Sequence, residues 1–86
     1  MPRFTVIWES EVLDELARIW IDATDRHAAA IASDAIDVEL SVNPFEKGAH
    51  LKEGLLALSV SPLRVVFEIH PEDRTVKVVK VKTLPS

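Results

Sequence analysis

Residues Leu55 to Lys82 run LLALSVSPLRVVFEIHPEDRTVKVVKVK, three β-type stretches separated by two turn signals. Ser61-Pro62 divides the first from the second, and Pro71-Glu72-Asp73-Arg74 divides the second from the third. Proline presets φ and aspartate hydrogen-bonds its own backbone, so both favour turns. In the second stretch Leu63, Val65, Phe67 and Ile69 alternate with Arg64, Val66, Glu68 and His70. Period two with β-branched enrichment marks a half-buried strand. Connections this short join strands only antiparallel, which predicts a meander.

A four-residue turn at 71–74 predicts a register with His70 opposite Thr75, Glu68 opposite Lys77, Val66 opposite Val79 and Arg64 opposite Val81. Glu68 facing Lys77 is a favourable cross-strand pair and supports it. A slip of one residue would turn every side chain to the other face. In this register Val76 and Val78 join Phe67 and Ile69 on the core face. Lys80 and Lys82 share that parity, at the far end where helix cover runs out. Arg64 comes from the neighbouring strand at the same end. The result is a cationic corner.

Eighty-six residues make one domain with one modest core, spanning 1–86. The 48% hydrophobic and 28% charged composition is that of a soluble globular chain. Cysteine is absent, so no disulfide framework or thiolate metal site can form. No apolar run approaches the ~18 residues of a membrane span. Met1-Pro2-Arg3 leads directly into a strand rather than a signal peptide, which predicts a cytoplasmic location. Charge is unevenly spread. Residues 1–46 carry ten acids against Arg3, Arg18 and Arg26, a balance of −7. Residues 47–86 carry seven bases against four acids, a balance of +3. Anion binding therefore belongs to the second half.

Upstream, Arg3 to Trp8 (RFTVIW) is a short strand rich in β-branched and aromatic residues. Ser10 is an N-cap candidate with Glu9 and Glu11 at the positive end of a helix dipole. Val12, Leu13, Leu16, Ile19, Trp20 and Ala23 then give an amphipathic helix to about Ala23. With Thr24 as the next cap, a second helix runs from about Asp25 to Leu40. Its apolar stripe is Ala28, Ile31, Ala32, Ala35, Ile36 and Leu40, and Asp34 and Asp37 mark its wet side. The hairpin of helices must bury its stripe on the sheet, with Leu13, Leu16, Trp20, Ile31, Ala32 and Ile36 opposite Leu63, Val65, Phe67 and Ile69. Trp8 and Trp20 are both expected in the core. Ser41 to Leu51 (SVNPFEKGAHL) is irregular, with turn signals at Asn43-Pro44 and Lys47-Gly48. The order is β-α-α-β-β-β, an α+β domain with a helical hairpin on a mostly antiparallel four-stranded sheet. Its first strand lies beside a later one in parallel.

No glycine-rich phosphate loop or HExxH motif occurs, and His27, His50 and His70 fall on separate elements. The order of elements does resemble a known family. A short strand, two helices, Pro44-x-x-x-Gly48, Pro62-Leu63-Arg64-Val65-Val66-Phe67-Glu68 and Asp73-Arg74-Thr75-Val76 together resemble the RelE/ParE superfamily. These are toxins of type II toxin–antitoxin modules, also known as plasmid stabilisation proteins. The resemblance implies either messenger-RNA cleavage on the ribosome or poisoning of DNA gyrase, and an antitoxin partner from an adjacent gene. It implies no cofactor and no membrane; a homodimer is a further option. Cleavage through the 2′-hydroxyl needs a base, an acid for the leaving oxygen and a cation for the phosphorane charge. Arg64 matches the arginine of the second meander strand in the ribonuclease branch. Lys80 and Lys82 fall near the end of the last strand, and Lys52 and His50 match the basic segment after the glycine. Thr83-Leu84-Pro85-Ser86 carries no His, Arg or Tyr, and tyrosine is absent throughout. That incomplete pattern leaves an alternative: a non-catalytic toxin-fold module acting through protein contacts alone.

Overall fold

The computed structural model describes residues 3–85; Met1-Pro2, taken above as leading into the first strand, and Ser86 lie outside it. The elements are β1 (Thr5–Trp8), α1 (Ser10–Asp22), α2 (Arg26–Val42), the single turn α3 (Pro44–Lys47), β2 (Ala49–Lys52), β3 (Leu55–Val60), β4 (Leu63–His70) and β5 (Thr75–Thr83). The sheet has five strands in the order β1-β5-β4-β3-β2. The β3–β4–β5 meander is antiparallel, and β1 runs parallel to β5. Helices α1 and α2 carry the chain from β1 towards β2 at the opposite edge, and the meander returns it to β5. Among the described residues no helix is long and apolar enough to cross a membrane.

The segment 41–51, predicted irregular, instead supplies α3 and the edge strand β2. Pro44 opens α3, where its missing N–H costs nothing, and it is buried. The core joins Val65, Phe67, Leu63, Val76 and Val78, all fully buried, to Val12, Ile19, Ala32, Ile36 and Leu40 from the helices.

The helix faces differ from the expected stripes. On α1 the sheet-facing residues are Val12 and Ile19, while Leu13 and Trp20 are 49% and 44% exposed. On α2 the buried set is Ala29, Ala32, Ile36 and Leu40, and Ile31 is 55% exposed. Each helix rests on the sheet along one narrow row. The adjacent apolar row borders an open groove lined by Leu13, Leu16, Ala17, Trp20, Ala29, Ala30 and Ser33. Trp20 is therefore not core: the Arg26 guanidinium lies over its ring, 4.9 Å from the centroid. Trp8 is half-buried and donates from Nε1 to Asp37 Oδ1 at 3.1 Å, tying β1 to α2. The caps also sit one residue from the predicted positions. Glu9 precedes α1, and Asp25, not Thr24, caps α2 by accepting from the Ala28 amide at 3.0 Å.

The β4–β5 register follows expectation from His70–Thr75 and Glu68–Lys77 to Phe67–Val78, then shifts. Val66 pairs with Lys80, Val65 with Val81 and Arg64 with Lys82. Val66 opposite Val79 and Arg64 opposite Val81 are thus corrected, with Val79 as the extra residue of a β-bulge. Strict alternation would have aimed Lys80 and Lys82 at the core side. The bulge turns them to the open face and puts Val81, 4% exposed, inside. Burying an apolar side chain and leaving two ammonium groups hydrated favours the bulged strand.

Candidate anion-binding site on the open sheet face

With α1 and α2 on one side, the opposite face of β4 and β5 has no helix over it. Arg64 and Val66 project there from β4, and Lys80 and Lys82 from β5. Together with Leu51 they line a cavity of about 190 Å³. The cationic corner expected from Arg64, Lys80 and Lys82 is therefore assembled, with Arg64 and Lys82 directly paired across the strands.

Among the described residues, the ion pairs are Arg18–Glu15, Lys47–Glu39, His70–Glu68 and Lys77–Glu9. Arg64, Lys80, Lys82 and Lys52 take part in none of them. The expected Glu68–Lys77 contact is replaced although the two residues do pair. Glu68 Oε1 lies 3.0 Å from His70 Nε2, and Lys77 Nζ lies 4.0 Å from Glu9 Oε1. These contacts hold the acids at the β1 end of the face, away from the cavity.

The remaining two candidates lie elsewhere. Lys52 pairs with Leu55 at the far end of β3, whereas Arg64 neighbours Ser59 near its other end. His50 pairs with Leu56, a core-facing residue, so the register carries it to the helix side of the sheet at the exposed edge. The structure does not bring it to the cavity.

Sequence reasoning overlooked Leu51 altogether. It is the extra residue of a second bulge, between His50 and Lys52, and its side chain is brought to the cavity beside Val66. Its signal was weak, because a four-residue strand with a bulge at Leu51 gives periodicity little to show. Chemically, three cations without an ion-pair partner among the described residues hold anions, and Arg64 adds a planar fork that fits phosphate oxygens. Among the described residues, no carboxylate, imidazole or phenol lines the cavity.

No family model matches the chain, and no curated protein matches it. Solved structures do. A chain of the RelBE2 toxin–antitoxin complex from Mycobacterium tuberculosis is 20% identical with a TM-score of 0.80, covering 96% of this chain and 93% of that one. The free toxin RelE of E. coli, in a mutant form, is 13% identical with a TM-score of 0.69, covering 94% and 83%. A chain of the RelE–RelB complex from Pyrococcus horikoshii is 14% identical with a TM-score of 0.67, covering 96% of each. The fold is that of the E. coli RelE toxin and of the matching chains in the RelBE2 and RelE–RelB complexes.

Proposed function

We propose that this chain is the toxin of a type II toxin–antitoxin pair and that it acts on messenger RNA in the cytoplasm, at the ribosome. The observation that carries this reading is the cavity where Arg64, Lys80 and Lys82 meet without acidic partners. Attack of a 2′-oxygen on the adjacent phosphorus forms one P–O bond and breaks the bond to the 5′-oxygen. Negative charge builds on the phosphorane oxygens in between. Arg64 meets that charge through its fork, and Lys80 and Lys82 add point charges from the neighbouring strand. The partner is an antitoxin, as in the RelBE2 and RelE–RelB complexes. The apolar groove between α1 and α2, with Leu13 and Trp20 half-exposed, suits an amphipathic helix.

The lack of a carboxylate, imidazole or phenol among the described residues of the cavity lining favours a second reading, a toxin-fold module that acts by protein contacts alone. Expression in a bacterial host separates the two. Ribonuclease action predicts growth arrest, relief by the neighbouring gene product, and cleaved message in a translating extract. Arg64→Ala should then lower cleavage ~10²–10³-fold, the cost of removing a preorganised charge. Arrest without cleavage points to another target such as gyrase. Neither arrest nor cleavage leaves the binding module.

A further inference from the structure

The cavity contains more than a phosphate requires. Arg64, Lys80 and Lys82 account for an anion, but Leu51 and Val66 line the same space. Leu51 is 46% exposed on an edge strand, held out by a bulge. The strip beside Val66 is otherwise built from small groups, because Val66 pairs with Ala57 and Ala57 with Ala49. The apolar surface at the cavity is thus concentrated in two adjacent side chains, next to three cations.

We infer that Leu51 and Val66 form a ledge that takes one nucleobase of a single-stranded RNA, whose adjoining phosphate lies among Arg64, Lys80 and Lys82. The inference rests on the reading of this face as an RNA-binding surface. Every base has an apolar face, and both apolar and aromatic side chains pack against an unstacked base. A cavity of about 190 Å³ is smaller than the ~300–1,000 Å³ of drug-sized ligand sites, which suits a single base. Among the described residues the cations are the only hydrogen-bonding side chains in the lining, and all of them are donors. A base is therefore held by its acceptor atoms and its face, and a purine, with the larger face and an N7 acceptor, is held better than a pyrimidine.

The test is a titration of the full-length, methyl-labelled protein with 5′-AMP, 5′-UMP and inorganic phosphate, followed by NMR. AMP should move the Leu51 and Val66 methyl resonances by its ring current, UMP should move them less, and phosphate should leave them in place. Leu51→Ala should weaken AMP about tenfold, from lost apolar contact, while phosphate affinity stays the same. Leu51→Met should retain most of the AMP affinity. The ledge is overturned if AMP binds no tighter than phosphate, or if Leu51→Ala weakens both alike. It is also overturned if an acidic peptide, and no nucleotide, moves these methyls. The outcome is independent of growth arrest: a toxic protein without ring-current shifts refutes the ledge alone. A non-toxic protein that shows them keeps the ledge and refutes the toxin.

Discussion

Gly48 has an unremarkable φ of −98°, so backbone freedom does not explain why glycine stands there. Space does: a Cβ would come within 2.5 Å of Phe67 Cζ and 3.0 Å of Leu56 Cβ. Gly48→Ala should therefore destabilise by ~1–3 kcal/mol through overpacking, measured by urea denaturation. Phe67→Leu, which shortens the ring's reach, should absorb part of that cost in the double variant. Additive losses would show that the contact is not the cause. Phe67 itself is fully buried, and Phe67→Ala should cost ~3–5 kcal/mol. Arg64 lies at the other extreme. Its guanidinium serves no ion pair among the described residues, so Arg64→Ala should leave the melting temperature unchanged. Arg64→Lys should restore only part of any lost RNA cleavage, because a point charge cannot reproduce the fork. A variant that melts several degrees lower would make Arg64 a structural residue instead.

Among the elements, β4 was legible because alternation from Leu63 to His70 is uninterrupted and a buried strand demands that pattern. Strand β2 was not, since Pro44 and Gly48 in the preceding segment signal turns and four residues give periodicity little to show. The bulge at Val79 could not be seen by counting parity, which continues across an inserted residue as if nothing had changed. What could have exposed it is the conflict it resolves, two lysines assigned to the same face as Val76 and Val78. The outward rows of α1 and α2 were misassigned for another reason. Periodicity finds an apolar stripe but not how much of its width the sheet covers. The turn before β5 was placed correctly, but with an unpredicted conformation: Pro71–Asp73 form one 3₁₀ turn and Arg74 takes left-handed geometry, φ 51° and ψ 48°. That region costs an ordinary side chain ~1–2 kcal/mol, and asparagine tolerates it better. Arg74→Asn keeps the amide bound to Pro71 O and the carbonyl that accepts from Thr5. It should stabilise by ~0.5–1 kcal/mol, seen as a higher denaturant midpoint at unchanged slope. A loss of stability would mean that the Arg74 side chain contributes more than its backbone strain removes.

At the scale of the whole molecule, charge and architecture divide the same way. The acidic first half supplies both long helices, and the basic second half supplies the open face of the meander. A net charge of −4 thus conceals a face that attracts anions at short range. At 0.1 M salt the screening length is ~10 Å, so local cations outweigh acids on the far side of the sheet. Glu11 and Glu15 are the exceptions, for they line a neighbouring cavity together with Lys80 and Lys82. This arrangement predicts the salt response of RNA binding. Each phosphate neutralised on a single strand contributes about −0.7 to the slope of log K against log salt. Three cations give a slope of about −2, measurable by fluorescence anisotropy of a short single-stranded RNA between 50 and 200 mM salt. Lys80→Ala should make that slope shallower by about 0.7 and weaken binding uniformly across sequences. Glu11→Gln and Glu15→Gln should strengthen binding most at low salt, where repulsion is least screened. The melting temperature of Glu15→Gln should barely change, because the Arg18–Glu15 pair is exposed and such pairs contribute little. A flat salt response, or a slope indifferent to both Arg64→Ala and Lys80→Ala, would place any RNA contact away from this corner.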